Sequence, residues 1–454
     1  MRKSITISAV LLVAFGMASP LIMGLVAENQ FLGQLEQISI EENSGMSISD
    51  INFDRGYTES DASFVMTLDD PSDELPKVSV LFESKMQHTP INSSEFGLSV
   101  FEIYSQDRLS FSEGPEELIQ FVNNNMAGYF LSGYSRANVL GSYDSVLSTP
   151  VIDFASEVGE YNVQVDSMVI NSKGQLDGSE TELDMKLPSM NIKTTELDMQ
   201  IDSISAIADL KMDANGLGLG NSLMQVAQLS VMSEMGVSEV KNITVSSVSD
   251  VIDNKINTTV SYNVESIASP LPVSSASYNI DFNGLPVASV ELAEDLQLHI
   301  NDMGTDLESA DEYFNQLLTT TLQPGLQINQ ELKANAFGGK WQADLNVEYV
   351  GIEGIELAAM QDPKVAVKSV VATLVLTADN AALSRSPLAP MLDGLLQQGL
   401  ITLDNTSITS VATLTAGKLM INEVEIPVEP IIDSILLEME KLRELQEAAE
   451  LAAN

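Results

Sequence analysis

The chain reads as mainly β, of α+β character: an N-terminal transmembrane helix, then an elongated antiparallel β-rich body with several amphipathic helices. Three observations predict this. Many segments of the body alternate apolar and polar residues with period two, the mark of strands with one buried and one wet face. Between them, apolar residues recur at helical spacing behind start signals. At the beginning, Arg2 and Lys3 precede Ile5 to Val26, 22 positions without a charge, and about 20 apolar residues are needed to cross a bilayer.

Residues 1–27 are therefore read as an uncleaved signal anchor, with the membrane held by residues 5–26. A cleavable signal has a shorter apolar region of roughly 7 to 15 residues and small residues before the cut. Here Leu25 stands where a small side chain is needed before a cut at Ala27. Cutting after Ala18, behind Gly16, leaves Pro20 close behind. The basic end stays cytoplasmic and the acidic body is exported. Strands are expected over Ala62 to Leu68, Val78 to Glu83 and Tyr161 to Val165. A short echo follows, Thr181 to Met185 and Thr195 to Met199, each copy with an apolar and an acidic face. The pattern returns at Val240 to Val248, Thr258 to Val264, Trp341 to Val350, Val365 to Leu376 and Ile408 to Ile426.

Five helices are expected. Gly114-Pro115-Glu116-Glu117 opens one through Met126, with Pro and acids where a helix start favours them. Asn221 or Ser222 caps a second, ending near Gly236. Ser309 to Leu322, Leu388 to Gly399 and Ile431 to Ala453 are the others. Ser269-Pro270-Leu271-Pro272 is the best boundary. It divides the body into β-rich regions 28–270 and 271–430, ahead of an acidic, Ala-rich helix over 431–454.

Charge narrows the function. With 65 Asp and Glu against 21 Lys and Arg, the formal charge is -44, and such a body cannot replace phosphate counterions on nucleic acid. Solubility or a salt-adapted source explains the acidity before any acidic ligand site does. There is no Cys, so disulfides and thiolate ligands are out, and His88 and His299 are too few for a three-His metal site. Neither a nucleophile elbow nor an EF-hand loop is present. No cofactor is called for.

A few residues stand out for binding. Arg55 and Tyr57 lie in Phe53-Asp54-Arg55-Gly56-Tyr57-Thr58-Glu59-Ser60, where Gly frees the backbone between two aromatics. One reading is a bend in which Arg55 offsets neighbouring acids; the other is a ligand-binding Arg. His88, ahead of Thr89-Pro90, suits a hydrogen-bonded turn at a strand end better than an acid or base. Met185, Met199 and Met224 belong to a Met-rich middle of the chain, which fits either ordinary core packing or a soft groove for an acyl chain or peptide.

Taken together these residues resemble the YdgA-like family of bacterial envelope proteins, a domain of unknown function. The likeness rests on three motifs: the aromatic-x-Arg-Gly-aromatic-x-x-Ser pattern at Phe53, Arg55, Gly56, Tyr57 and Ser60; the strand ending in His88 and Pro90; and a C-terminal helix with Gln398-Gly399-Leu400-Ile401, then Lys418 to Asn422. Thr89 and Glu423 stand where the family tends to have Gly. The resemblance implies a single-pass protein of the bacterial inner membrane with a β-rich periplasmic body, and no assigned activity. The leading expectation is a non-enzymatic protein offering an apolar groove to a lipid or an envelope protein. The alternatives are an envelope scaffold and a hydrolase built on paired carboxylates. Oligomeric state is not encoded in any readable feature.

Overall fold

A computed structural model describes residues 19–441, apart from 34, 36–45, 69–75, 90, 101, 139, 156–160, 214–216, 234–235, 270–271, 291, 294–314, 353–361, 405, 435 and 438–440. The chain divides into two compact units, Met1–Val237 and Ser238–Asn454. In both, antiparallel strands pair mainly with their sequence neighbours.

The first unit opens with helix α1 over residues 19–33. Its main strands are β1 (Met46–Arg55), β2 (Glu59–Leu68) and β3 (Val78–Gln87), then a separate hairpin of β4 (Ile91–Ser94) and β5 (Gly97–Val100). After β6 (Glu102–Glu113) comes helix α2 (Glu116–Asn125), followed by β7 (Leu131–Asn138), β8 (Ser142–Ser148), β9 (Ile152–Ala155), β10 (Tyr161–Val165) and β11 (Val169–Gln175). Three long strands finish the unit: β12 (Glu180–Thr194), β13 (Asp198–Met212) and β14 (Gly218–Ser233). Both β10 and β11 pair with β12, one along each half of it.

Met23, Ala27, Phe31 and Leu35 of the α1 segment are buried. Their spacing of four keeps them on one side of a helix, and that side packs on the sheet. Ile103 meets the first part of the stripe and Ala62 the second, with Phe53, Phe64, Phe82 and Met86 around them. A bulge makes this face continuous in β1. The register shifts between Ser49 and Asn52, and Asp50 takes φ 50°, so Ile48 and Phe53 share a side despite their odd separation.

The second unit is a meander of β15 (Gly236–Ile252), which begins just before the division, β16 (Lys255–Ala268), β17 (Val273–Pro286), β18 (Leu326–Ala336), β19 (Gly339–Tyr349), β20 (Val370–Asp379), β21 (Thr402–Leu403), β22 (Ser407–Thr415), β23 (Lys418–Ile421) and β24 (Val424–Ile426). Helices α3 and α4 lie at residues 287–290 and 315–321. Four more follow in the C-terminal part: α5 (Pro363–Ala366), α6 (Asn380–Leu383), α7 (Leu392–Gln397) and α8, which begins at residue 428.

Several expectations are corrected. The run from Asn221, read as a helix, is strand β14. Its apolar residues fit both periods over a short stretch, and pairing with β13 from Met232 to Gly218 satisfies its backbone. Gly220 marks the strand, since a Cβ there would lie 2.0 Å from the Asp209 carbonyl oxygen. Val365 to Ser369 is helical before β20 starts at Val370. Asp362 caps that turn, accepting from the Lys364 backbone N–H at 2.9 Å, with Pro363 at the first helical position. Of the span 5–26 read as a membrane helix, residues 5–18 lie outside the described residues, and 19–26 belong to α1, docked on the sheet. Among the described residues no helix is long and apolar enough to cross a membrane. The segment Ser269 to Pro272 links β16 to β17. Residues 442–454 of the expected terminal helix, and the segment around His299, lie outside the described residues.

Candidate functional site

The first two motifs meet beneath α1. Ser60 is 1% exposed and His88 0%, and Ser60 Oγ lies 2.8 Å from His88 Nε2. His88 Nδ1 is 3.0 Å from the carbonyl oxygen of Pro20. A carbonyl only accepts, so Nδ1 carries the hydrogen and donates to it. In the neutral ring Nε2 is then the acceptor, and Ser60 donates. The His88 backbone N–H donates to Thr58 O at 2.9 Å, fixing the strand end.

The same ring sits against Gly24. A Cβ on Gly24 would come within 2.9 Å of Cε1 and 3.3 Å of both nitrogens, so only glycine lets α1 approach this closely. One turn further on, Glu28 pairs with Arg55 at 2.7 Å. This ion pair is partly exposed and contributes about 0–1 kcal/mol. Phe53 packs on Phe31 at a ring separation of 5.7 Å. Gly56 turns the chain between β1 and β2, its N–H donating to Glu59 O at 2.9 Å. A Cβ on Gly56 would fall 2.4 Å from that oxygen. Tyr57 is half exposed, and Pro90 lies outside the described residues.

A serine donating to the free nitrogen of an oriented imidazole is the first half of a nucleophilic dyad. Here it has no room to react. Both side chains are sealed under the helix, and the oriented ring ends on a carbonyl instead of a carboxylate. Phe53, Arg55, Ser60 and His88 act together to clamp residues 20–31 on the sheet.

The methionines are dispersed. Met185 and Met224 both lie opposite Ala206 across β12, β13 and β14, in one row. Met199 stands in another row, opposite Ile192 and Val231. Asn422 belongs to the second unit, where Asn422 and Glu423 make the two-residue turn from β23 to β24. Both have positive φ, 44° and 72°, as a type I′ turn requires, and Asn-Gly suits that turn best. Asn422 also exchanges hydrogen bonds with the Val411 backbone, 2.9 Å each way. The third motif therefore holds a hairpin in place.

That hairpin borders an apolar cavity of about 420 Å³, within the usual range of small-ligand sites. Its floor is one face of the sheet. Leu332, Ala343, Leu376 and Ser410 form a cross-strand row, beside a second row of Ala334, Trp341, Ala378 and Ile408. Alanines in the middle of both rows leave the space. Leucines 383, 388, 392, 395 and 400, with Ile401, roof it. The polar atoms of this face are already engaged: Ser410 Oγ donates to Leu400 O at 2.7 Å, and Trp341 Nε1 to Ala336 O at 3.0 Å. The opposite face carries Asn263, Ser277, Lys333, Gln342 and Thr377 in one row, so the strands alternate cleanly.

A family model described as a bacterial protein of unknown function (DUF945) matches residues 1–429. The chain belongs to this family. No curated protein and no solved structure matches it. The DUF945 match covers both the helix clamp of the first unit and the cavity of the second. Sequence reading missed the cavity residues; their only signal was alanine at strand positions flanked by leucine and tryptophan.

Proposed function

We propose that this chain is a YdgA-like envelope protein, held in the bacterial inner membrane by the apolar run that precedes the docked part of α1, with its body in the periplasm. Its second unit binds an acyl chain of a lipid. The cavity carries this reading: its walls are almost wholly carbon, its polar groups are engaged internally, and water gains little there. A hydrocarbon chain fits such walls by shape and apolarity alone. The chain's formal charge of -44 disfavours an anionic head group, so the lipid is neutral or zwitterionic. Leu21, Ile22 and Leu25 on the outer side of α1 are exposed, which supports a body resting against the bilayer, where such lipids are at hand.

Binding of a fluorescent monoacylglycerol tests this. The wild-type chain is expected to saturate with one probe. Ala343→Phe, which grows from the middle of the floor, should weaken binding at least tenfold while leaving the far-UV circular dichroism unchanged. Equal binding by a folded Ala343→Phe variant would overturn the assignment.

A further inference from the structure

A second cavity, about 520 Å³, lies along the inner edge of α1 in the first unit. Phe31, Phe82, Met86, Ile103 and Leu147 supply an apolar side. The other side is a hydroxyl ladder: Ser105, Ser135, Ser145 and Ser172 lie directly opposite one another across β6, β7, β8 and β11. At its end is Asp107, 6% exposed.

Asp107 accepts from Ser84 at 2.7 Å on Oδ1, and from Ser135 at 2.7 Å and Ser105 at 3.1 Å on Oδ2. Ser135 has one hydrogen and the carboxylate has none to give, so at the 3.0 Å contact between Ser135 and Ser145 the donor is Ser145. The hydrogens of Ser84, Ser105, Ser135 and Ser145 thus run toward Asp107, while Ser172 Oγ meets the Tyr143 hydroxyl at 3.1 Å; what this part of the ladder offers the cavity is lone pairs. Among the described residues no Lys or Arg forms an ion pair with Asp107. The nearest cation in the wall, Arg136, is held by Asp144 at 2.6 and 2.8 Å. Gly133 stands opposite Asp107 on β7, so no side chain crowds the carboxylate there. A buried carboxylate without a countercharge is costly, and this one borders open space.

We propose that this cavity binds a primary ammonium amphiphile, its –NH₃⁺ donating to Asp107 and the serine lone pairs and its alkyl chain lying against Phe31, Phe82 and Ile103. The site is separate from the lipid cavity, whose walls carry no charge. The test is calorimetric titration of the full-length chain in micelles at 0.15 M NaCl with octylammonium, octanol and octanoate, after subtracting a protein-free blank. One saturable octylammonium site is expected. Asp107→Asn should weaken it at least tenfold, and octanol and octanoate should bind there at least tenfold more weakly. Gln30→Trp, which narrows the cavity from α1 without touching the carboxylate, should also weaken it. Diffuse, non-saturating uptake, equal affinity for octanol, or unchanged affinity in Asp107→Asn would overturn the proposal. Should Asp107→Asn fail to fold, unchanged affinity in Gln30→Trp would do so.

Discussion

Gly24→Ala puts two known effects in opposition. In a free helix alanine is better than glycine by about 1 kcal/mol. In the docked helix the new Cβ would lie 2.9 Å from His88 Cε1, about half an ångström short of ordinary contact. The ring cannot step aside, because it is fully buried and both nitrogens are hydrogen-bonded. Overpacking of this kind costs roughly 1–3 kcal/mol. The clash therefore wins, and Gly24→Ala should destabilise the first unit by about 1 kcal/mol net. In a His88→Ala background the clash is gone and the same substitution should stabilise by about 1 kcal/mol. The double-mutant cycle then gives a coupling of about 2 kcal/mol. Denaturant midpoints at unchanged m-value report the energies, and amide exchange over residues 23–31 reports whether α1 loosens. A gain of about 1 kcal/mol from Gly24→Ala alone, or a coupling below about 0.5 kcal/mol, would refute the clamp.

Glu423→Gly, at φ 72° in the β23–β24 turn, should stabilise the second unit by about 1 kcal/mol, because left-handed backbone costs a side chain roughly that much; a calorimetric Tm rise of about 2–4 °C is expected, and no rise would refute the turn assignment. Arg55→Ala should change stability by no more than about 0.5 kcal/mol, since its pair with Glu28 is solvent-accessible; a loss above about 2 kcal/mol would mean Arg55 does more than pair. The Tyr104 phenol is held well above the ordinary tyrosine range, first by burial and then by its hydrogen bond to Glu95. Its folded pKa exceeds its unfolded one, so its contribution to stability is whole below about pH 10 and is lost as pH rises beyond that. Of the ten tyrosines, Tyr104 should ionise only on unfolding. Tyr104→Phe should therefore leave the phenolate absorbance below that transition unchanged, and a drop of one tenth would contradict this.

Much of the fold was legible because period-two alternation reflects a physical face. Tyr161–Val165 is strand β10 as read, and Glu116–Asn125 is the helix its Pro and acids announce. Where apolar residues suit both periods, as in Leu223 to Met232, sequence cannot choose, and pairing with β13 decides. Residues of the helix clamp stood out as types, Arg among acids and a lone His after a strand. Their purpose was hidden, because Pro20 and Gly24 lie in, and Glu28 just after, a run whose apolarity reads as membrane. The apolar cavity was hidden for another reason. Ala334, Trp341, Ala378 and Ile408 become neighbours only through the register of four strands, and a single strand's pattern gives its face, not its partners. Asp107 was lost in the same way among 65 acids.

Native mass spectrometry of the full chain, purified from the envelope in mild detergent, tests whether the second unit holds a lipid. The expected result is a bound lipid in one-to-one stoichiometry, with a neutral or zwitterionic head, that is absent from Ala343→Phe. A clean apo mass in the wild type, or the same lipid retained by a folded Ala343→Phe variant, would contradict it.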